Sequence, residues 1–478
     1  MSIKTVFFDM GGTIETFGYT RELRLNTTAV IRQRLMDARI DLHLATEELY
    51  EVISKGLSKY KEWSIQCMEE LPPRRVWSEY ILADRDVDRK ALSDVAEDLM
   101  FLIETDFYHR VMRPEVPVVL RAIEEMGLQI GLISNVTSRG QVPVNLKKYG
   151  IIDYFHPIVL SSEYRHRKPD PAIFHHAARL ANVPTSQCVY VGDRVVRDID
   201  GARRAGFGLA IQIRHDFAHG ENDQGSVPDA VIDNLTELLD ILKKENASAQ
   251  RYAHKRKIRA IIFDAGDILY YRPQRGRHFA AFLKELGLEP DPNFSQQKKA
   301  IQWQAYRGQI THEEYREAMV GIYGLTQPNL MERGKRALIE DDGNVSFFEG
   351  VAETLHELKK LGYLLGIVTD TANSISAKIQ WFERGGFGHV WDSIISSMDI
   401  GTRKPDPRIY QAVLQQLRLS PDQAIFVGHK ASELAGAQAI GIQTVAFNYD
   451  EDASANYFIE KFSDLLKIPD IGFYEQSG

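Results

Sequence analysis

The sequence predicts an α/β protein built twice: two tandem Rossmann-like cores, each a parallel sheet with helices on both faces and a helical insertion after its first strand. Three observations predict it. Short apolar runs of strand length alternate with segments of helical period. A Gly, Asp or Ser follows each apolar run. The order of these segments repeats along the 478 residues.

In the first half the predicted strands are 5–8, 128–133, 158–160 and 188–191, with predicted helices such as 116–126 and 171–180 between them. Such alternation argues for parallel pairing through crossover helices. Ligands of such sheets bind at the carboxyl ends of the strands, and Asp9, Ser134 and Asp193 fall there. Residues 20–112 differ: they hold long, charge-rich helical stretches over 23–38 and 91–105. Placed directly after the first strand, they are expected to form a lid over the strand ends.

The repeat fixes the organisation. The run Ile3–Ile14, with its Asp9-Met10-Gly11, matches Ile258–Leu269, with Asp264-Ala265-Gly266. Gly131–Asn135 matches Gly366–Asp370, Arg167–Pro171 matches Arg403–Pro407, and Cys188–Asp193 matches Ala424–His429. Ser134 to Thr369 spans 235 positions, while Lys168 to Lys404 and Asp193 to His429 each span 236. Asp9 to Asp264 spans 255, so the first copy carries about 20 extra residues after its first block. Length alone suggests about three domains. The repeat replaces that with two. Domain 1 is 1–245, with its core at 1–19 and 113–245 and its cap at 20–112. Residues 246–257, polar and basic, read as a linker. Domain 2 is 258–478, with its core at 258–273 and 348–478 and its cap at 274–347.

Composition narrows the function. Hydrophobic residues make up 44% and charged residues 26%, an ordinary globular balance. The net charge of −8 argues against general nucleic-acid or anionic-membrane binding. No apolar run reaches 18 residues, so no transmembrane helix is expected, and the apolar start is too short for a signal peptide. Cys67 and Cys188 cannot build a disulfide framework, which points to a reducing, cytoplasmic setting.

The chemistry is carried by residues at the predicted strand ends. Asp9 precedes glycines that let the backbone turn and a ligand approach. A carboxylate there can be a nucleophile or a metal ligand, or merely cap a turn. Asp193, at a neighbouring strand end, would complete a carboxylate pair of the kind Mg²⁺ takes, with Asp198 nearby. Lys168, before a Pro-Asp-Pro that starts a helix, can hold a carboxylate ionised and balance phosphate charge. Ser134 can donate to a phosphoryl oxygen. Nucleophile, metal and charge neutralisation are the needs of phosphoryl transfer.

The four blocks in this order resemble the haloacid dehalogenase superfamily, and the insertion resembles the α-helical cap of the first type found in its phosphatase-like branch. The resemblance implies a hydrolase acting on a small phosphorylated substrate, with Mg²⁺ as cofactor. Asp9 would attack phosphorus and form an aspartyl-phosphate that water hydrolyses. Thr13 would steady the motif, Ser134 and Asn135 would bind phosphate, and Lys168 would hold nucleophile and phosphate. Asp193, Asp9 and the Gly11 carbonyl would bind Mg²⁺, with Asp198 as a further metal partner or support.

The sequence departs from this pattern at Gly11, where phosphatases of the family carry an Asp as general acid and base. Such help is worth roughly 10²–10⁴-fold. Either the leaving group is a good one, as in an acyl phosphate, aryl phosphate or phosphoanhydride, or a cap residue such as Glu15 or His109, or water, supplies the proton. A third outcome is a slow or non-catalytic tandem protein that binds a phospho-ligand or a partner protein. The dehalogenating branch typically has Tyr at the Gly11 position. A phosphonate-cleaving branch has Ala there and uses a cap Lys, for which Lys55, Lys59 and Lys61 are the candidates.

In the second half Asp264, Thr369 and Lys404 are retained, but Ile268 replaces the Thr and His429 stands at the metal Asp position. Neutral imidazole is a poor Mg²⁺ ligand. This half therefore reads as a degenerate copy that stabilises the chain, supports a homodimer or binds a phosphoryl ligand for regulation. Glu433 aligns with Asp198 if one residue is deleted between them.

Overall fold

The computed structural model describes residues 3–214, 225–250 and 257–471, and the chain divides into two compact units, 1–253 and 254–478. The helix Glu237–Gln250 runs into the segment expected as linker. Residues 251–256 lie outside the described residues.

In the first unit β1 (Thr5–Phe8) starts a six-stranded parallel sheet. A short antiparallel pair follows, β2 (Glu15–Gly18) with β3 (His109–Met112). It was not foreseen, and it joins the core to the insertion. The sheet is completed by β4 (Gln129–Ser134), β5 (Ile158–Leu160), β6 (Cys188–Gly192), β7 (Leu209–Ile213) and β8 (Ala230–Ile232). Its order is β5-β4-β1-β6-β7-β8. Every residue of β1 and β6 is buried, as expected of strands covered on both faces. Successive side chains feed opposite layers: Phe8, Leu132 and Val191 pack on one side, and Phe7, Ile133 and Tyr190 on the other. Phe8 lies level with both Leu132 and Val191, so Asp9 emerges beside the ends of β4 and β6.

The insertion is helical, as expected. Arg21–Asp37 is capped by the Thr20 hydroxyl and Arg89–Asp106 by the Asp88 carboxylate. With Thr46–Cys67 these helices bury a core of their own around Ile31, Ile53, Trp77 and Leu99. The helix Pro171–Leu180 begins with Pro171 and is capped by Asp170, the start that the Pro-Asp-Pro signal implies.

The second unit repeats the plan. β9 (Ala260–Phe263), β12 (Leu364–Thr369), β13 (Ser393–Ser396), β14 (Ala424–Gly428), β15 (Gln443–Phe447) and β16 (Tyr457–Ile459) form a parallel sheet in the order β13-β12-β9-β14-β15-β16. β10 (Tyr270–Tyr271) pairs with β11 (Ser346–Phe347). Its shorter helical insertion closes on Phe279, Phe282, Leu283 and Val320. Among the described residues no helix is long and apolar enough to cross a membrane.

Candidate active site

The carboxyl ends of β1, β4 and β6 bring the first-half residues together. Asp9 is only 3% exposed, and its backbone N–H donates to Val191 O at 2.9 Å. Lys168 Nζ lies 2.8 Å from Asp9 Oδ1 and 2.7 Å from Asp198 Oδ1. Tyr190, on β6, adds a hydroxyl 2.6 Å from the same ammonium. Carboxylate oxygens of Asp9, Asp193 and Asp198 all lie within 4.8 Å of one another. Hard oxygen donors so arranged fit Mg²⁺.

Two glycines permit this crowding. A Cβ at Gly12, where φ is +86°, would lie 2.5 Å from the Asp193 carboxylate. A Cβ at Gly192 would lie 2.5 Å from Asp198. Gly11 is open by contrast: a Cβ there would meet only the Phe17 ring at 3.4 Å and Arg110 Nη1 at 4.0 Å. Ser134 is buried at the end of β4. Asn135 is tied to the lysine loop. Its amide donates to Lys168 O and its carbonyl accepts from Lys168 N, both at 2.9 Å, so it fixes the lysine loop. Thr13 is buried, and its backbone N–H reaches Met10 O at 3.4 Å within the turn.

Sequence reasoning missed Arg197. Its Nη2 donates to Asp9 Oδ2 at 2.6 Å, Asp193 Oδ1 at 2.9 Å and Asp198 Oδ2 at 3.2 Å. Its spacing of four from Asp193 was the available signal, since such pairs meet on a helical turn. Burial pushes the Asp193 carboxyl up to about 7 against the pull of Arg197, with Asp198 and Asp9 adding to the rise. Burial would also raise Asp198, but Arg197 and Lys168 outweigh it and hold that carboxyl well below the usual range.

Glu15 is held in a hydrogen-bond cluster. Its buried carboxylate accepts from Arg110 at 2.5 Å, Tyr149 at 2.8 Å and Asn145 at 3.1 Å. His109 is exposed on β3. Lys55, Lys59 and Lys61 are exposed on the helix Thr46–Cys67.

The second-half site keeps half of this arrangement. Lys404 Nζ lies 2.5 Å from Asp264 Oδ1 and 2.9 Å from Glu433 Oε2, so Glu433 takes the place of Asp198. Thr369 is buried at the end of β12. His429 Nδ1 faces Asp264 Oδ2 at 3.6 Å, beyond hydrogen-bond length. Burial lowers the His429 pKa, which favours the neutral imidazole. Ile268 is fully buried where the first half has Thr13. The donor set of Asp264, His429 and Glu433 mixes nitrogen with oxygen and fits Mg²⁺ poorly.

Family models match both halves. The family model described as haloacid dehalogenase-like hydrolase matches residues 3–206, and a second with the same description matches 280–447. A glyceraldehyde 3-phosphate phosphatase of Methanopyrus kandleri is 31% identical over 246 residues, covering 51% of this chain and 98% of that protein. A pyrophosphatase, PpaX of Bacillus velezensis, is 36% identical over 138 residues, covering 27% of this chain and 61% of its own. The solved 2-haloacid dehalogenase of Pseudomonas syringae pv. Tomato is 27% identical, with a TM-score of 0.38, covering 51% of this chain and 99% of that one.

Proposed function

We propose that this chain, which belongs to the haloacid dehalogenase-like hydrolases, is an Mg²⁺-dependent phosphatase of a small phosphorylated metabolite, with its chemistry in the first half. The observation that carries this reading is Asp9, buried at a strand end with Lys168 and a second carboxylate beside it. Asp9 Oδ attacks phosphorus, the bond from phosphorus to the leaving oxygen breaks, and an aspartyl-phosphate results. Water then attacks that phosphorus and frees Asp9. Lys168 balances charge on nucleophile and phosphoryl group, and Ser134 donates to a phosphoryl oxygen. Asp9, Asp193 and the Gly11 carbonyl would hold Mg²⁺, with Asp198 in support. Bound there, the ion supplies neutralisation of the phosphoryl charge.

Gly11 selects the leaving group. With no acid at that position, and Arg110 and Phe17 bordering the space, departure as an anion is favoured. Acyl phosphates, aryl phosphates and phosphoanhydrides meet that condition, and the match to a pyrophosphatase is in keeping with it. The second half is a pseudoenzyme or regulatory domain in this reading, supported by His429 and Ile268.

The test is a panel of p-nitrophenyl phosphate, acetyl phosphate, pyrophosphate and sugar phosphates, each with Mg²⁺ or EDTA. Turnover that needs Mg²⁺ and vanishes in Asp9→Asn is expected, fastest on the first three. Absence of any Asp9-dependent turnover overturns the reading.

A further inference from the structure

Arg197 answers none of the chemical needs that the four blocks supply, yet it is the group most centrally placed among the carboxylates. One nitrogen, Nη2, reaches an oxygen of Asp9, Asp193 and Asp198 at 2.6, 2.9 and 3.2 Å. Mg²⁺ sits at about 2.1 Å from its oxygens. The same oxygens cannot hold the ion and this guanidinium together, because the two cations would nearly coincide.

We propose that Arg197 is a tethered cation that fills the divalent-ion position in the metal-free protein and must swing out for Mg²⁺ to enter. Metal loading is then a displacement. This rests on the Mg²⁺-dependent reading above. Three observations support this reading of Arg197. The Arg197 side chain is 33% exposed, whereas Lys168 and Asp198 are fully buried. The side chain thus reaches the solvent margin of the site while its Nη2 lies among the carboxylates. Charge balance also favours it. Asp9, Asp193 and Asp198 put three carboxylates in one buried place, and Lys168 offsets one of them. Arg197 offsets another, and Arg194, 3.5 Å from Asp193, faces the third, so the metal-free site does not hold unpaired buried charge. Being charged at any working pH, it leaves only by competition. Finally, the degenerate half, without the carboxylate set, has Ser432 before Glu433 where the first half has Arg197 before Asp198.

Calorimetric titration of Mg²⁺ into the full-length wild type, Arg197→Gln and Arg197→Lys tests this, together with melting temperatures in EDTA and in excess Mg²⁺. Arg197→Gln is expected to bind Mg²⁺ about tenfold tighter or more, as loss of even one hydrogen bond between charged groups implies. It should melt below the wild type in EDTA and gain more from Mg²⁺. Arg197→Lys, which keeps the charge but not the fork, should fall between, and it carries the test if Arg197→Gln does not fold. Equal or weaker Mg²⁺ binding in the variants, with the wild type still binding the ion, overturns the displacement and leaves the proposed function standing. No Mg²⁺ binding in any of the three proteins, with turnover persisting in EDTA, overturns both.

Discussion

At Gly11 a Cβ would meet only side-chain atoms, of Phe17 and Arg110, so the position can take the missing acid's first carbon without a backbone clash. Gly11→Asp is expected to raise kcat/KM for sugar phosphates by about tenfold or more, part of the roughly 10²–10⁴-fold that acid–base help is worth. For p-nitrophenyl phosphate the gain should be slight, because that leaving group departs unaided. Steady-state kinetics on both substrates read the difference, and equal gains would place the limitation elsewhere. The neighbouring Gly12 is unlike it: any side chain there runs into Asp193. Asp9, Lys168 and Asp193 were legible in the sequence because each sits in a short block whose glycine or proline fixes the turn around it. Arg197 and Tyr190 were not. Their roles depend on how the turn Val195–Ile199 and the pleat of β6 aim long side chains back at the strand ends. The bonds of Asn135 to the Lys168 backbone were not legible either, because they join two loops 33 residues apart.

The insertion is tied to the core through carboxylates rather than apolar contacts alone. Glu70 accepts from the hydroxyls of Tyr60, Thr137 at 3.0 Å and Ser161 at 2.7 Å, and Arg167 lies 3.4 Å away. Glu104 accepts the backbone N–H groups of Thr137 and Ser138, both at 2.8 Å, in the loop after β4. Glu70→Ala strands these buried donors and is expected to cost about 2–3 kcal/mol in urea unfolding. Burial lifts the Glu104 carboxyl from 4.5 to about 7 despite its two backbone donors. A carboxyl raised by folding binds its proton more tightly in the native state. Its share of stability is therefore full below about pH 4.5 and is lost as pH rises through about 7. Melting temperatures of Glu104→Gln should lack that part of the wild-type decline between these pH values. The long cap helices were legible from their period and from Thr20 and Asp88 as caps. The β2–β3 pair was not, because four-residue strands with half-exposed faces carry no clear alternation.

On the scale of the whole chain, the duplication was the most legible feature. It rests on spacings that survive substitution, and the two sheets have the same strand order about β1 and β9. What the sequence left open was how much of the first site's arrangement the second half keeps, since that is a matter of atoms. Lys404 still bridges Asp264 and Glu433, and Lys430 adds a second cation 3.0 Å from Glu433. Burial raises the Asp264 carboxyl to about 7 against the pull of Lys404, with Glu433 adding to the rise. The position that Asp193 holds in the first half is taken by the His429 imidazole, 3.6 Å from Asp264. Such a site retains the polar scaffold of the first but not its hard-oxygen donor set. Asp264→Asn is accordingly expected to lower the melting temperature, because Lys404 loses a buried partner. It should leave kcat/KM on the phosphate panel within about twofold, a change below 0.5 kcal/mol in barrier. Asp9→Asn in the same full-length protein should remove turnover entirely. Comparable losses in both variants would mean that the second half takes part in the chemistry, and a residue of activity in Asp9→Asn that disappears only in the double variant would assign it a slow activity of its own.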